Sequence, residues 1–152
     1  MKSKTQHIKY MPVIFLILLA FFVFLTPLLN GWSEQDLQKL KETNRCPYCN
    51  LEEADLRDKN LNDADLYKAN LNKADFTYSS LKRAVLTKAE LNKAVFYRSN
   101  LEGVDFKEAI LKEARFIFAD LSGVDFSGAD LRKVKISKTA LKNANLKNTN
   151  LE

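Results

Sequence analysis

Residues 84–106 read AVLTK AELNK AVFYR SNLEG VDF: a small residue opens each block of five and a large apolar residue stands third. Carried outward in both directions, that frame runs without an insertion from Cys49 to Glu152. The third positions, 51 to 151, comprise 15 Leu, five Phe and Ile136, and the first positions hold Ala 12 times. Lys59 is the one first-position residue that is neither small nor apolar. A period of five matches neither the 3.6 of a helix nor the 2 of a strand, so a repeat architecture is required.

The blocks ADLRD, ADLYK, ANLNK, AELNK, ADLSG, ADLRK and ANLKN resemble the pentapeptide-repeat family, whose consensus is A-[DN]-L-x-x. The resemblance covers residues 49–152 and implies an all-β solenoid. In that fold each pentapeptide forms one side of a right-handed quadrilateral β-helix, and about five coils are expected. The chemistry of the block is consistent with this. The third residue points inward, the small first residue leaves it room, and Asn or Asp at the second position bonds to local backbone at the bends. Coils stacked at ~4.7–4.9 Å give a rod roughly 25 Å long. Residues one full coil apart then stack. Phe76, Phe96, Phe116 and Ile136 form one interior column, Phe106 and Phe126 belong to the opposite one, and the other two columns are leucine throughout.

The N-terminal third is organised differently. Residues 1–10 are a basic flank with Lys2, Lys4 and Lys9, and residues 11–29, MPVIFLILLAFFVFLTPLL, carry no charge. At ~1.5 Å per residue a helix of that length spans roughly 28 Å, close to the hydrocarbon thickness of a bilayer. A transmembrane anchor is expected, with a cleaved signal segment as the alternative, for which Gly31-Trp32-Ser33 offers only a weak cleavage site. Basic residues before the span and Glu34 and Asp36 after it put the N-terminus in the cytoplasm and the repeats across the membrane, with Trp32 at the far interface. Residues 30–48 read as a linker and capping helix. Ser33 suits the N-cap, Leu37 and Leu40 share a face, and the helix should end near Asn44 ahead of Pro47.

Charge excludes one class of partner. The 152 residues carry 24 Lys plus Arg against 19 Asp plus Glu, a net +5, and without a sustained basic stripe no nucleic-acid partner is expected. The motif Cys46-Pro47-Tyr48-Cys49 has the dithiol spacing of glutaredoxins. Exchange chemistry wants the attacking thiol at a helix N-terminus in a βαβ setting, whereas Cys49 opens a repeat block. A disulfide between Cys46 and Cys49, locking the cap turn in an oxidising compartment, is the first reading, and a thiol-disulfide function at this motif is the alternative. Zinc is disfavoured: a structural site takes four ligands, and beyond the two cysteines there is only His7. No catalytic constellation, metal set or cofactor loop is present in the sequence, so no enzyme is expected.

One side of the expected rod departs from its polar surroundings. Tyr78, Val95, Tyr97, Arg98, Ile117 and Phe118 fall at outward positions of the side that carries the main Phe column, an aromatic and Arg composition suited to a partner protein. The competing role for these residues is cross-strand stabilisation of the exposed ladder. The C-terminal coil is a second expected surface, suited to homodimerisation. Some pentapeptide-repeat proteins resemble duplex DNA and protect DNA gyrase from quinolones. That role needs a strongly acidic rod, and this one is near neutral. The function expected from sequence is therefore a membrane-anchored scaffold displayed outside the cytoplasm.

Overall fold

A five-residue block becomes one side of a coil through a β-turn at each of its ends. The first-position N–H donates to the third-position carbonyl three residues back, as in Ala94 to Leu91 at 3.1 Å and Ala109 to Phe106 at 3.0 Å. The third residue of each turn is the block's fifth position. It adopts a positive φ throughout, from Tyr48 at 62° and Lys88 at 60° to Asn148 at 59°, the left-handed geometry that a type II turn demands. Every Asn or Asp at a second position caps its own turn, its side-chain oxygen accepting from the N–H two residues on.

The computed structural model describes residues 31–152 of the chain. Residues 1–10 and the segment 11–29 expected to cross a membrane lie outside the described residues. Among those described, no helix is long and apolar enough to cross a membrane. The described chain begins with helix α1, Glu34–Thr43, and continues as a solenoid to Glu152. Successive coils pair in parallel with partners 20 residues apart, from Arg45↔Asp65 to Asp130↔Asn150, so four blocks complete a coil. Two extended strands stand out on one side only: β1, Arg115–Ile117, pairs with β2, Lys135–Ser137. Elsewhere the ladder consists of single bridges between turns.

First- and third-position side chains fill the interior from Cys46 to Leu131, with Lys59 the exception. Phe76, Phe96 and Phe116 stack face to face with centroids 4.8 Å apart, and Phe106 stacks on Phe126 at 5.2 Å. The two columns meet edge-on across the core, Phe96 to Phe106 at 6.0 Å and Phe116 to Phe126 likewise. Aromatic pairs in such offset and edge arrangements add ~0.5–1.5 kcal/mol beyond their buried area.

Two expectations need correction. The solenoid starts one block before Cys49, because Asn44-Arg45-Cys46-Pro47-Tyr48 already has the block geometry. Arg45 bridges to Asp65, and Tyr48 holds the positive φ of a fifth position. Ile136 is in the Phe column's register yet 45% exposed, as are Leu141 at 40% and Leu146 at 45%, because no described coil stacks over them. Trp32 is half-buried against the core cluster. Lys59 does no harm at its first position, because on this side of the first coil it borders an open cleft with Leu37, Leu40, Lys41 and Leu61.

Helix α1 closes the other end of the rod. Ser33 accepts from the Asp36 N–H at 3.2 Å as N-cap, and Asn44 ends the helix in the left-handed region with its N–H on the Leu40 carbonyl. Leu37 and Leu40 are buried over the first coil. Asp36 ties the helix to that coil by accepting from the Asn50 N–H at 2.8 Å.

Candidate interaction face

The cysteines occupy the first side of the solenoid. Cys46 takes the inward third position normally held by Leu, and Cys49 takes the inward first position normally held by Ala. Every such pair flanks a β-turn, so these two Cα atoms lie 5.4 Å apart and a disulfide joins them. Pro47 stands second in that turn, where its fixed φ fits. Both sulfurs are buried, and the residues after Cys49 form another turn, with no helix N-terminus to activate a thiolate. Asp36 brings a carboxylate within 4.8 Å of them, but with the sulfurs joined to each other this set falls short of a four-ligand zinc site.

The six outward residues singled out in the sequence come together on the side that carries β1 and β2. Tyr97 packs edge-on against Tyr78 at 5.9 Å and against Phe118 at 5.8 Å. Arg98 lies between the rings of Tyr78 and Phe118, at 5.9 and 5.4 Å from their centroids, and 5.5 Å from that of Tyr97. Tyr78 is 53% exposed and Phe118 42%, so the patch is open to solvent. Ile117 and Val95 are half-buried beside it, Val95 lining a shallow groove with Arg115 and Lys135, whose edge is formed by Lys93, Glu113 and Lys133.

The 20-residue period also gathers residues that the five-residue frame alone does not single out. Lys138 lies over the Phe118 ring at 5.0 Å and continues the column Tyr78, Arg98, Phe118. Arg115 and Lys135 face each other across the β1–β2 pair. On the opposite corner Tyr48 meets Tyr67 edge-on at 5.5 Å, with Lys68 over both rings. The signal for all of them is spacing: Arg115 and Lys135, Phe118 and Lys138, and Tyr48 and Lys68 are each one coil apart.

Most other basic side chains of the coils are matched by acids one coil away. Arg83 grips Asp63 with two bonds of 2.8 Å, Lys73 reaches Glu53 at 2.6 Å and Lys82 reaches Glu102 at 2.8 Å. Within single sides, the Arg57 guanidinium holds the Asp55 carboxyl at about 2, below its ordinary 3.8, and Arg132 does the same for Asp130.

The family model for pentapeptide repeats (eight copies) matches residues 48–83, 69–107, 79–115 and 109–148. The chain is a pentapeptide-repeat protein. No curated protein matches this pentapeptide-repeat chain in sequence. Among solved structures it is similar to a pentapeptide repeat protein from the Arabidopsis thaliana thylakoid lumen, at 29% identity and a TM-score of 0.53. That match covers 62% of this chain and 63% of the Arabidopsis protein, so the chain spans less than two thirds of its relative. The pentapeptide repeat protein Rfr23 from the cyanobacterium Cyanothece 51142 is 23% identical with a TM-score of 0.36, over 78% of this chain and 98% of its own. QnrB1, a plasmid-mediated fluoroquinolone resistance protein, is 15% identical with a TM-score of 0.41, over 69% of this chain and 61% of its own. At those identities the last two likenesses concern the fold alone.

Proposed function

We propose that this pentapeptide-repeat protein is a non-enzymatic scaffold, anchored in a membrane by residues 11–29, whose solenoid is displayed outside the cytoplasm and binds a protein through the Tyr78–Phe118 face. The observation that carries the reading is the exposed aromatic ladder around Arg98 on a rod whose other sides are mainly polar and ion-paired. Exposed aromatic and Arg side chains are the types enriched in protein interfaces. Burial of both sulfurs within the turn favours a structural disulfide over exchange chemistry. Structural disulfides persist in oxidising compartments, which supports placement across the membrane, and the Arabidopsis relative comes from a lumen.

The test is photo-crosslinking from position 97 in intact cells, with the adducts then identified by mass spectrometry. A discrete adduct with another protein supports the scaffold. No adduct from a folded, membrane-bound protein would return these side chains to ladder stabilisation. Placement is tested separately by a reporter fused to the C-terminus, expected to be active only outside the cytoplasm.

A further inference from the structure

From Val95 onward, the cations at the outward positions of the β1–β2 side lack ion-pair partners. Arg98, Arg115, Lys135 and Lys138 enter none of the ion pairs among the described residues, whereas Arg83, Lys73, Lys82 and Lys88 each reach an acid one coil away. From Val95 through Lys138, the outward positions of this side, Val95, Tyr97, Arg98, Arg115, Ile117, Phe118, Lys135, Ser137 and Lys138, include no acid. Arg98 is moreover held in place by three rings. A guanidinium fork fixed in this way loses less side-chain freedom when it meets a carboxylate than a free one does.

We propose that this face, over the three coils from Val95 to Lys138, docks an acidic segment of a partner protein, with an apolar residue of that segment seated on Tyr97, Ile117 and Phe118. This rests on the scaffold reading and adds the chemistry of the partner. Three coils at ~4.8 Å measure roughly 14 Å, the length of about four extended residues. A segment of mixed acidic and apolar character suits the face better than a uniformly anionic polymer, which would leave its aromatic centre wet. It also suits it better than an anionic bilayer. The same side carries Asp55, Asp58 and Asp75 on its earlier coils, which a flat anionic surface lying along the rod would press against.

The test uses the full chain in neutral detergent and a fluorescein-labelled acidic pentapeptide with a central leucine, read by anisotropy. Binding is expected, weakening with added salt, and at least about tenfold weaker in an Arg98→Glu/Arg115→Glu variant shown by circular dichroism to be folded. Lys88→Glu, on the opposite corner, should leave binding unchanged, and a lysine-for-acid version of the peptide should bind only the charge-reversed variant. Equal weakening by Lys88→Glu would overturn the proposal, because the attraction would then belong to the rod's charge as a whole. Stronger binding of short-chain phosphatidylglycerol micelles at equal anionic charge would overturn it in favour of a lipid surface. If the pentapeptide does not bind while position 97 still crosslinks to a protein, the acidic partner is wrong and the scaffold stands. If neither occurs, both fall.

Discussion

Arg83 and Arg98 occupy the same place in neighbouring corners of the rod, each at the fifth position of its block with φ near 55°. Each reaches across one coil, but to different chemistry: Arg83 meets the Asp63 carboxylate, Arg98 the rings of Tyr78 and Phe118. The backbone therefore does not choose the outward residue. A corner whose charge is already neutralised offers a partner little, because binding there must first break an ion pair. A corner whose charge is held by rings keeps its hydrogen-bond donors free.

Both corners stand on one rigid interior, and the largest prediction attacks that interior. Phe96 lies beneath the aromatic corner, stacked between Phe76 and Phe116. Phe96→Ala should cost about 3–5 kcal/mol, measured by urea denaturation, because the columns leave no room for collapse. Ile136→Ala, in the same register but 45% exposed, should cost far less. Equal costs would mean that the coils are not stacked as a common frame.

The first side of the rod is the next point of attack. Replacing Cys46 with Leu and Cys49 with Ala installs the ordinary repeat pair in place of the disulfide. The chain should still fold, losing at most about 2 kcal/mol, the chain-entropy estimate for closing so short a loop. A variant that fails to fold would mean that this turn is held by the disulfide alone and is not a repeat block.

That side also marks the limit of what can be read from the sequence. The interior is legible because burial imposes a strict period: Leu or Phe every five residues needs no partner to be recognised. Helix α1 is legible for a similar reason, with Ser33, Leu37 and Leu40 all local signals. Cys46 escapes recognition as a third-position residue because Cys replaces Leu there and Pro47 resembles a break. Ile136 misleads because its burial depends on a neighbouring coil and not on its own block. On the outer face the aromatic cluster is legible from residue type, but Arg115, Lys135 and Lys138 have an ordinary composition for a polar rod. Only the 20-residue stacking, combined with their having no ion pair among the described residues, sets them apart.

The corners themselves yield a smaller, two-sided prediction. Gly123 lies in the column of Arg83 with φ 68°, and a Cβ built there would meet nothing closer than 3.9 Å. Gly123→Ala should therefore cost only the left-handed conformation, about 1–2 kcal/mol. Phe118→Gly, in the column of Arg98, relieves the same strain while losing ring contacts worth ~0.5–1.5 kcal/mol and the burial of part of the ring, so its net effect should be a small loss of stability. A large loss from Phe118→Gly would assign the ladder a stabilising role and weaken the case for a docking surface.

The smallest effect separates the ion-paired residues from the ring-held ones by pH. Asp55 and Asp130 have folded values near 2 against an ordinary 3.8, set first by the hydrogen bonds from Arg57 and Arg132. A depressed carboxyl contributes stability above its unfolded value, and that contribution is lost as the pH falls through the folded one. Stability measured from neutral pH downward should thus be flat at first and weaken between 3.8 and about 2. Both pairs sit at the surface, so the change should be modest and should shrink in salt. An Asp55→Asn/Asp130→Asn variant should reduce it, the remainder coming from Asp120 and Asp125, whose carboxyls are also lowered, whereas Tyr97→Leu should leave its shape unaltered. If Tyr97→Leu changes the acid profile as much as the paired aspartates do, the ring-held corner is not electrostatically independent of the carboxylates, and the contrast between Arg83 and Arg98 loses its physical basis.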